Sequence, residues 1–93
     1  MTKSQLIEAV AARAGLTRKT AEQVVSVIFS SMSDALIRGD RIEIRGFGSF
    51  KTKHYSSYTG RNPKTGQPIS VGAKVLPVFK VGRQLRDRVL KGD

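Results

Sequence analysis

Residues 51–74 read KTKHYSSYTGRNPKTGQPISVGAK, and no other part of the chain constrains the fold as strongly. Between the bounding lysines the only aliphatic side chains of any size are Ile69 and Val71; Lys51, Lys53, His54, Tyr55, Tyr58, Arg61, Asn62, Lys64 and Lys74 are basic, polar or amphipathic. Such a segment cannot bury enough apolar surface to order itself alone. Its middle, Arg61-Asn62-Pro63-Lys64-Thr65-Gly66, concentrates residues suited to a chain reversal. β-branched and aromatic residues flank the reversal on both sides, which predicts a long hairpin arm with its tip near Pro63. Unbroken strand from Lys51 to Arg61, roughly ten residues, would project about 33 Å.

Beyond the arm, Val75, Leu76, Val78 and Phe79 form an apolar return strand, and Pro77, which donates no ladder hydrogen bond, places it at an edge or bulge. On the other side, Phe50 and Ser49 lead back to Gly46-Phe47-Gly48, a tight turn or bulge whose glycines let backbone N–H groups approach a phosphate. Before it, Arg41, Glu43 and Arg45 alternate with Ile42 and Ile44, the two-residue period of a half-buried strand.

The front of the chain has a different period. Thr2 and Gln5 have the spacing of a capping box, and Leu6, Ile7, Val10, Ala11 and Ala14 recur at helical spacing up to Gly15. Thr17 can cap a second helix, whose apolar face, from Val24 and Val25 through Phe29 and Met32 to Ile37, is wider than a lone surface helix needs. A chain of 93 residues has little else to cover it. The face therefore predicts packing against a second copy as well as the short first helix. Arg83 to Lys91 reads as a short last helix with Leu85 and Val89 inward and Arg86 outward.

Charge follows the same division. The net charge is +10. Up to Glu43, six basic residues face five acidic ones; from Ile44 to Arg86 there are nine basic residues and no acid; the last seven residues cancel. Charge runs are ordinarily solvated surface. An acid-free run of 43 residues points instead to a polyanion, nucleic acid first and anionic membrane second. Without cysteine the chain has no disulfide or thiolate metal site. Its one histidine, His54, lies in the basic arm with no acid near it in sequence, and no P-loop, dinucleotide fingerprint or metal-ligand spacing appears. Catalysis, metals and cofactors are not expected. Nor is a secretory signal or a transmembrane span, since the apolar stretches fall far short of about 20 residues. A soluble, cytoplasmic protein is expected.

Lys51, Lys53, Lys64 and Lys74 along the arm can neutralise phosphates independently of base sequence. Tyr55 and Tyr58 can stack or touch sugars, or simply suit a strand. Pro63, a compact apolar ring at the end of a charged ribbon, can wedge between base pairs.

In this order, GFGSF at Gly46 to Phe50, GRNPKTG at Gly60 to Gly66, and Phe79-Lys80-Val81-Gly82 resemble the bacterial histone-like HU and integration host factor family. The resemblance spans essentially the whole chain. It implies an α+β fold in one unit, residues 1–93: a helical dimerisation half (1–40), a β-saddle and arm (41–82, arm about 51–74) and a C-terminal helix (83–93). Two N-terminal helices, an antiparallel sheet with an extended hairpin arm and a short last helix would form an intertwined dimer, with itself or with a paralogous subunit. By the same resemblance, Pro63 is the intercalating wedge and Arg61 and Asn62 its minor-groove neighbours. Lys3, Gly46, Lys80, Arg83 and Arg86 hold flanking phosphates, and Phe47, Phe50 and Phe79, with Phe29 of the second helix, make the dimer core. Tyr55 and Tyr58 stand where many relatives carry arginine.

Two branches of the family differ in selectivity. Arg41-Ile42-Glu43-Ile44-Arg45-Gly46 resembles the beta subunit of integration host factor, where an acid flanked by two arginines helps select a sequence. An exposed ion network with no reading role would look the same. The helical half and Val71-Gly72-Ala73-Lys74 look at least as much like HU. The expectation is thus a nucleoid-organising protein that bends duplex DNA with little sequence preference, favouring bent, nicked or flexible sites. Site-selective bending is the alternative, and an RNA-binding module or a membrane-surface protein are the more distant rivals.

Overall fold

The computed structural model describes residues 1–92, so Asp93, included in the expected C-terminal segment, lies outside the described residues. Helix α1 (Lys3–Ala14) begins with the anticipated capping box: the Thr2 N–H donates to Gln5 Oε1 at 2.8 Å and the Gln5 N–H to Thr2 Oγ1 at 3.2 Å. Helix α2 (Arg18–Ile37) is capped by Thr17, whose hydroxyl accepts the Thr20 N–H. The two helices meet at a small core of Ile7, Ala21 and Val25, with Leu6, Val10, Ala11 and Leu16 around it. At the rim, Arg18 reaches across to Glu8 at 3.1 Å and to Ser4 at 3.0 Å.

Strands β1 (Ile42–Ile44), β2 (Gly48–Tyr55) and β5 (Lys74–Val81) make an antiparallel sheet in the order β1-β2-β5. Pro77 pairs with Thr52 on β5, an edge strand as its missing N–H requires. The β1–β2 reversal closes with the Phe47 N–H donating to the Ile44 carbonyl at 2.9 Å. Gly48 starts β2 where no Cβ fits, since one would sit 2.6 Å from the Phe79 ring and 2.5 Å from the Lys80 carbonyl.

The arm differs from the unbroken strand predicted over 51–61. Its root is the β2–β5 ladder, which ends at Tyr55↔Lys74; its outer part is a separate hairpin of β3 (Tyr58–Arg61) and β4 (Pro68–Val71), starting at Tyr58↔Val71. Ser56 and Ser57 lie opposite Gly72 and Ala73, four small residues with no cross-strand side-chain pair to support the ladder. Two residues are skipped on each strand, so the register carries through the gap unchanged. The tip lies at Pro63 to Thr65, close to where it was expected. Pro63 is the first residue of a loop running to Gly66, closed by the Gly66 N–H donating to the Asn62 carbonyl at 2.7 Å. Gly66 adopts φ +71°, a conformation that glycine reaches without strain.

Helix α3 (Arg83–Lys91) follows β5 directly. Leu85 is half-buried as anticipated, but Val89, expected inward, is 71% exposed because nothing in the protomer reaches it. The same holds elsewhere: Phe29 of α2 is 46% exposed, and Phe47 and Phe79 are nearly as open. The accessible surface is 7809 Å², against about 5300 Å² for a compact chain of this mass. The radius of gyration is 18.9 Å, against about 12 Å for a compact domain of this length. The arm accounts for part of the excess and the uncovered apolar faces for the rest. Among the described residues no helix is long and apolar enough to cross a membrane.

Candidate nucleic-acid interface

The register sorts the sheet into two faces, because directly paired residues in an antiparallel ladder project to the same side. Ile42↔Phe50, Ile44↔Gly48, Phe50↔Phe79 and Gly48↔Val81 place an apolar set on one face. There Phe79 packs on Phe50 and Phe47, with ring centroids 4.8 and 5.5 Å apart. Phe29 belongs to α2 and sits beside a hollow with Met1 and Leu6 instead. The pairs Glu43↔Ser49, Ser49↔Lys80, Lys51↔Val78, Lys53↔Leu76 and Tyr55↔Lys74 define the opposite face. That face holds four of the predicted lysines and runs from β1 to the end of the arm root.

At the base of this face an open hollow is lined by Arg41, Glu43, Arg45, Gly46, Ser49 and Lys80, with Gly82 at its edge. Glu43 was expected between two arginines. Only Arg41 pairs with it, at 2.9 Å; no ion pair links Glu43 to Arg45 among the described residues. Helix α3 starts beside the hollow at Gly82, which supplies no side-chain cap, so its first N–H groups keep their hydrogen-bonding capacity for a bound anion. Arg83 and Arg86 extend from this end, and both lie within 4.0 Å of Asp87.

On the arm, Arg61 occupies the last β3–β4 rung, opposite Pro68. Asn62 is engaged in the turn itself: its Oδ1 accepts the Lys64 N–H at 2.9 Å and its own N–H donates to Gln67. This braces the loop that carries Pro63 and Lys64 and leaves the Asn62 Nδ2 amide group outside the turn's hydrogen bonds. Tyr55 lies between two cations, with Lys53 Nζ 5.4 Å and Lys74 Nζ 5.9 Å from its ring centroid. Tyr58 falls on the other side of the ribbon, paired with Val71 and 58% exposed. Lys3 opens α1, which packs on α2 rather than on the sheet, so a single protomer does not bring it to the others. Ser49 and Gln84 belong to the site and were not anticipated. Ser49 shares the cationic face, and a Cβ on Gly46 would run into the Gln84 amide. Neither bears charge, and only the strand pairing reveals Ser49.

Comparison with known proteins shows the family and the fold. Residues 1–90 match the family described as "Bacterial DNA-binding protein". The chain is 53% identical over 90 residues to the integration host factor subunit beta of Dechloromonas aromatica, covering 96% of both chains. It is 50% identical over 93 residues to that of Alkalilimnicola ehrlichii, covering 99% of this chain and 93% of the other. Among solved structures, the HU of an Anabaena HU–DNA cocrystal superposes with a TM-score of 0.86 at 35% identity, covering 96% of this chain and 97% of that one. HU V42I from Thermotoga maritima gives 0.71 at 29% identity, covering 96% and 99%. Proteins of this family are dimeric, non-enzymatic binders of DNA. This chain belongs to that family, the bacterial DNA-binding proteins that include HU and integration host factor.

Proposed function

We propose that this chain is half of a dimeric, nucleoid-associated DNA-bending protein. Two arms enter the minor groove, Pro63 from each wedges into a base step, and the cationic face collects phosphates on both flanks of the bend. The separation of the two sheet faces carries this reading. One face is apolar and open for a partner subunit, while the other leads Lys80, Lys51, Lys53 and Lys74 without an intervening acid toward a turn that presents Pro63. Unstacking costs a few kcal/mol per step, offset by the phosphate contacts that the bend permits. In Pro63→Ala the bend should relax toward straight, read as a longer end-to-end distance by fluorescence transfer. Affinity should stay within about tenfold, or about 1.4 kcal/mol. An unchanged distance sinks the wedge.

Site-selective bending is supported by a specific observation, the Arg41–Glu43 pair held at 2.9 Å beside the phosphate hollow. An acid so placed is repelled by a phosphate backbone unless it is clamped. The higher identity to integration host factor subunit beta sequences than to the HU structures adds weight to this branch over the sequence-tolerant one.

A further inference from the structure

We infer that Tyr55 is a positioning residue rather than a DNA ligand: it holds Lys53 and Lys74 as a fixed pair of phosphate ligands at the root of the arm. The inference rests on the DNA-binding reading above. Lys53 precedes Tyr55 by two residues on the same face of β2, and Lys74 is its direct partner across the ladder. Two like charges have no mutual attraction to gather them at one place. The negative face of the tyrosine ring attracts both, and each lies within the 6 Å range of a cation–π contact.

Because both ammonium groups lie within 6 Å of one centroid, they are no more than about 11 Å apart. A cation pair within that bound can reach phosphates bordering a minor groove about 6 Å wide. The triplet also occupies the last rung of the root, immediately before the gap at Ser56–Ser57 and Gly72–Ala73. A fixed cation pair there determines where the rigid part of the ribbon meets the backbone before the outer hairpin enters the groove. Arginine at this position would add a third cation. Tyrosine forgoes that charge and orders the two already present.

The test uses the full-length dimer on a nicked duplex, with affinity measured across a salt series. Tyr55→Phe, which keeps the ring, should bind within about twofold of the parent. Tyr55→Leu should weaken binding about fivefold to thirtyfold for a dimer with two arms. Its salt slope should match the parent's, since the number of cations is the same. Tyr55→Arg should steepen that slope. In the free parent and in Tyr55→Phe, the ε-methylene protons of Lys53 and Lys74 should show upfield ring-current shifts that vanish in Tyr55→Leu. A phenylalanine variant as weak as the leucine variant would mean that the hydroxyl touches DNA, and overturns the clamp. So does a leucine variant indistinguishable from the parent, or a parent without the shifts. A parent that binds no duplex overturns the DNA-binding reading, and this proposal with it.

Discussion

On one face of the β2–β5 ladder Phe50 meets Phe79, and Gly48 admits the Phe79 ring; on the other, Lys51, Lys53, Tyr55, Lys74 and Lys80 stand beside Ser49, Leu76 and Val78. Both faces hang on the same backbone hydrogen bonds. On the proposed reading, alternation along a strand would let one short segment serve two partners at once, protein on one side and polyanion on the other. The arrangement depends on register. A slip of one residue would exchange the two faces, putting the phenylalanines where the lysines now stand. The collision that any Cβ at position 48 would suffer against Phe79 and the Lys80 carbonyl is one device that pins it.

If the faces divide the work in this way, a substitution on one should leave the other's function intact. The largest effect belongs to the apolar side. Phe79 is 44% exposed in the protomer and packs on two other phenylalanines, so on the proposed reading a partner subunit would complete its burial. Phe79→Ala should cost about 3 kcal/mol per protomer, at the low end for deleting a core phenylalanine. Urea unfolding at several protein concentrations will show it as a lower midpoint that rises with concentration, as dimer stability must. The dimer that remains should bind DNA with the parent's salt slope. Unchanged dimer stability would break the division.

The reciprocal change is Lys51→Ala. Each dimer loses two cations, so the slope of log K against log salt should fall by about 1.8. Affinity at moderate salt should drop about tenfold, or about 1.4 kcal/mol. The unfolding midpoint should stay within about 0.5 kcal/mol of the parent's, as for an exposed substitution away from the packing. A loss of dimer stability here would mean that the lysine face also holds the subunits together.

Much of this division can be read in the sequence, since periodicity and charge are local properties. The capping box at Thr2, the alternation from Arg41 to Arg45 and the acid-free run required no knowledge of pairing. What could not be read depended on contacts across the ladder. The gap in the arm arises because Ser56–Ser57 lies opposite Gly72–Ala73; either pair alone sits in an acceptable strand. That Lys74 faces Tyr55 is visible only in the ladder, since the two lie far apart in sequence. Asn62 reads as a turn residue, but only the folded loop shows that its Oδ1 accepts the Lys64 N–H. Val89 is apolar at helical spacing, and only the fold shows that no other element of the protomer reaches it.

The smallest expected effect lies where the two faces end, at Glu43, the one acid on β1 and the last before the acid-free run. Its partner Arg41 is 59% exposed and Glu43 itself 69%, so the pair contributes little to folding, about 0–1 kcal/mol at most. Glu43→Ala should therefore leave the unfolding midpoint almost unmoved. Its consequence lies in discrimination. If the hollow takes a phosphate, an acid on its wall is tolerated only where local DNA shape lets Arg41 stay paired or find a phosphate without bringing a second one against Glu43. Removing the carboxylate removes that condition, so affinity for arbitrary duplexes should rise while affinity for preferred ones stays put. The ratio between them should shrink by about tenfold, the size of one mismatched base pair. Selection from a random duplex pool, run side by side on parent and variant, measures that ratio. Identical profiles would assign the pair to surface electrostatics and return the chain to sequence-tolerant bending. A flattened profile would place its selectivity in a single carboxylate on the cationic face.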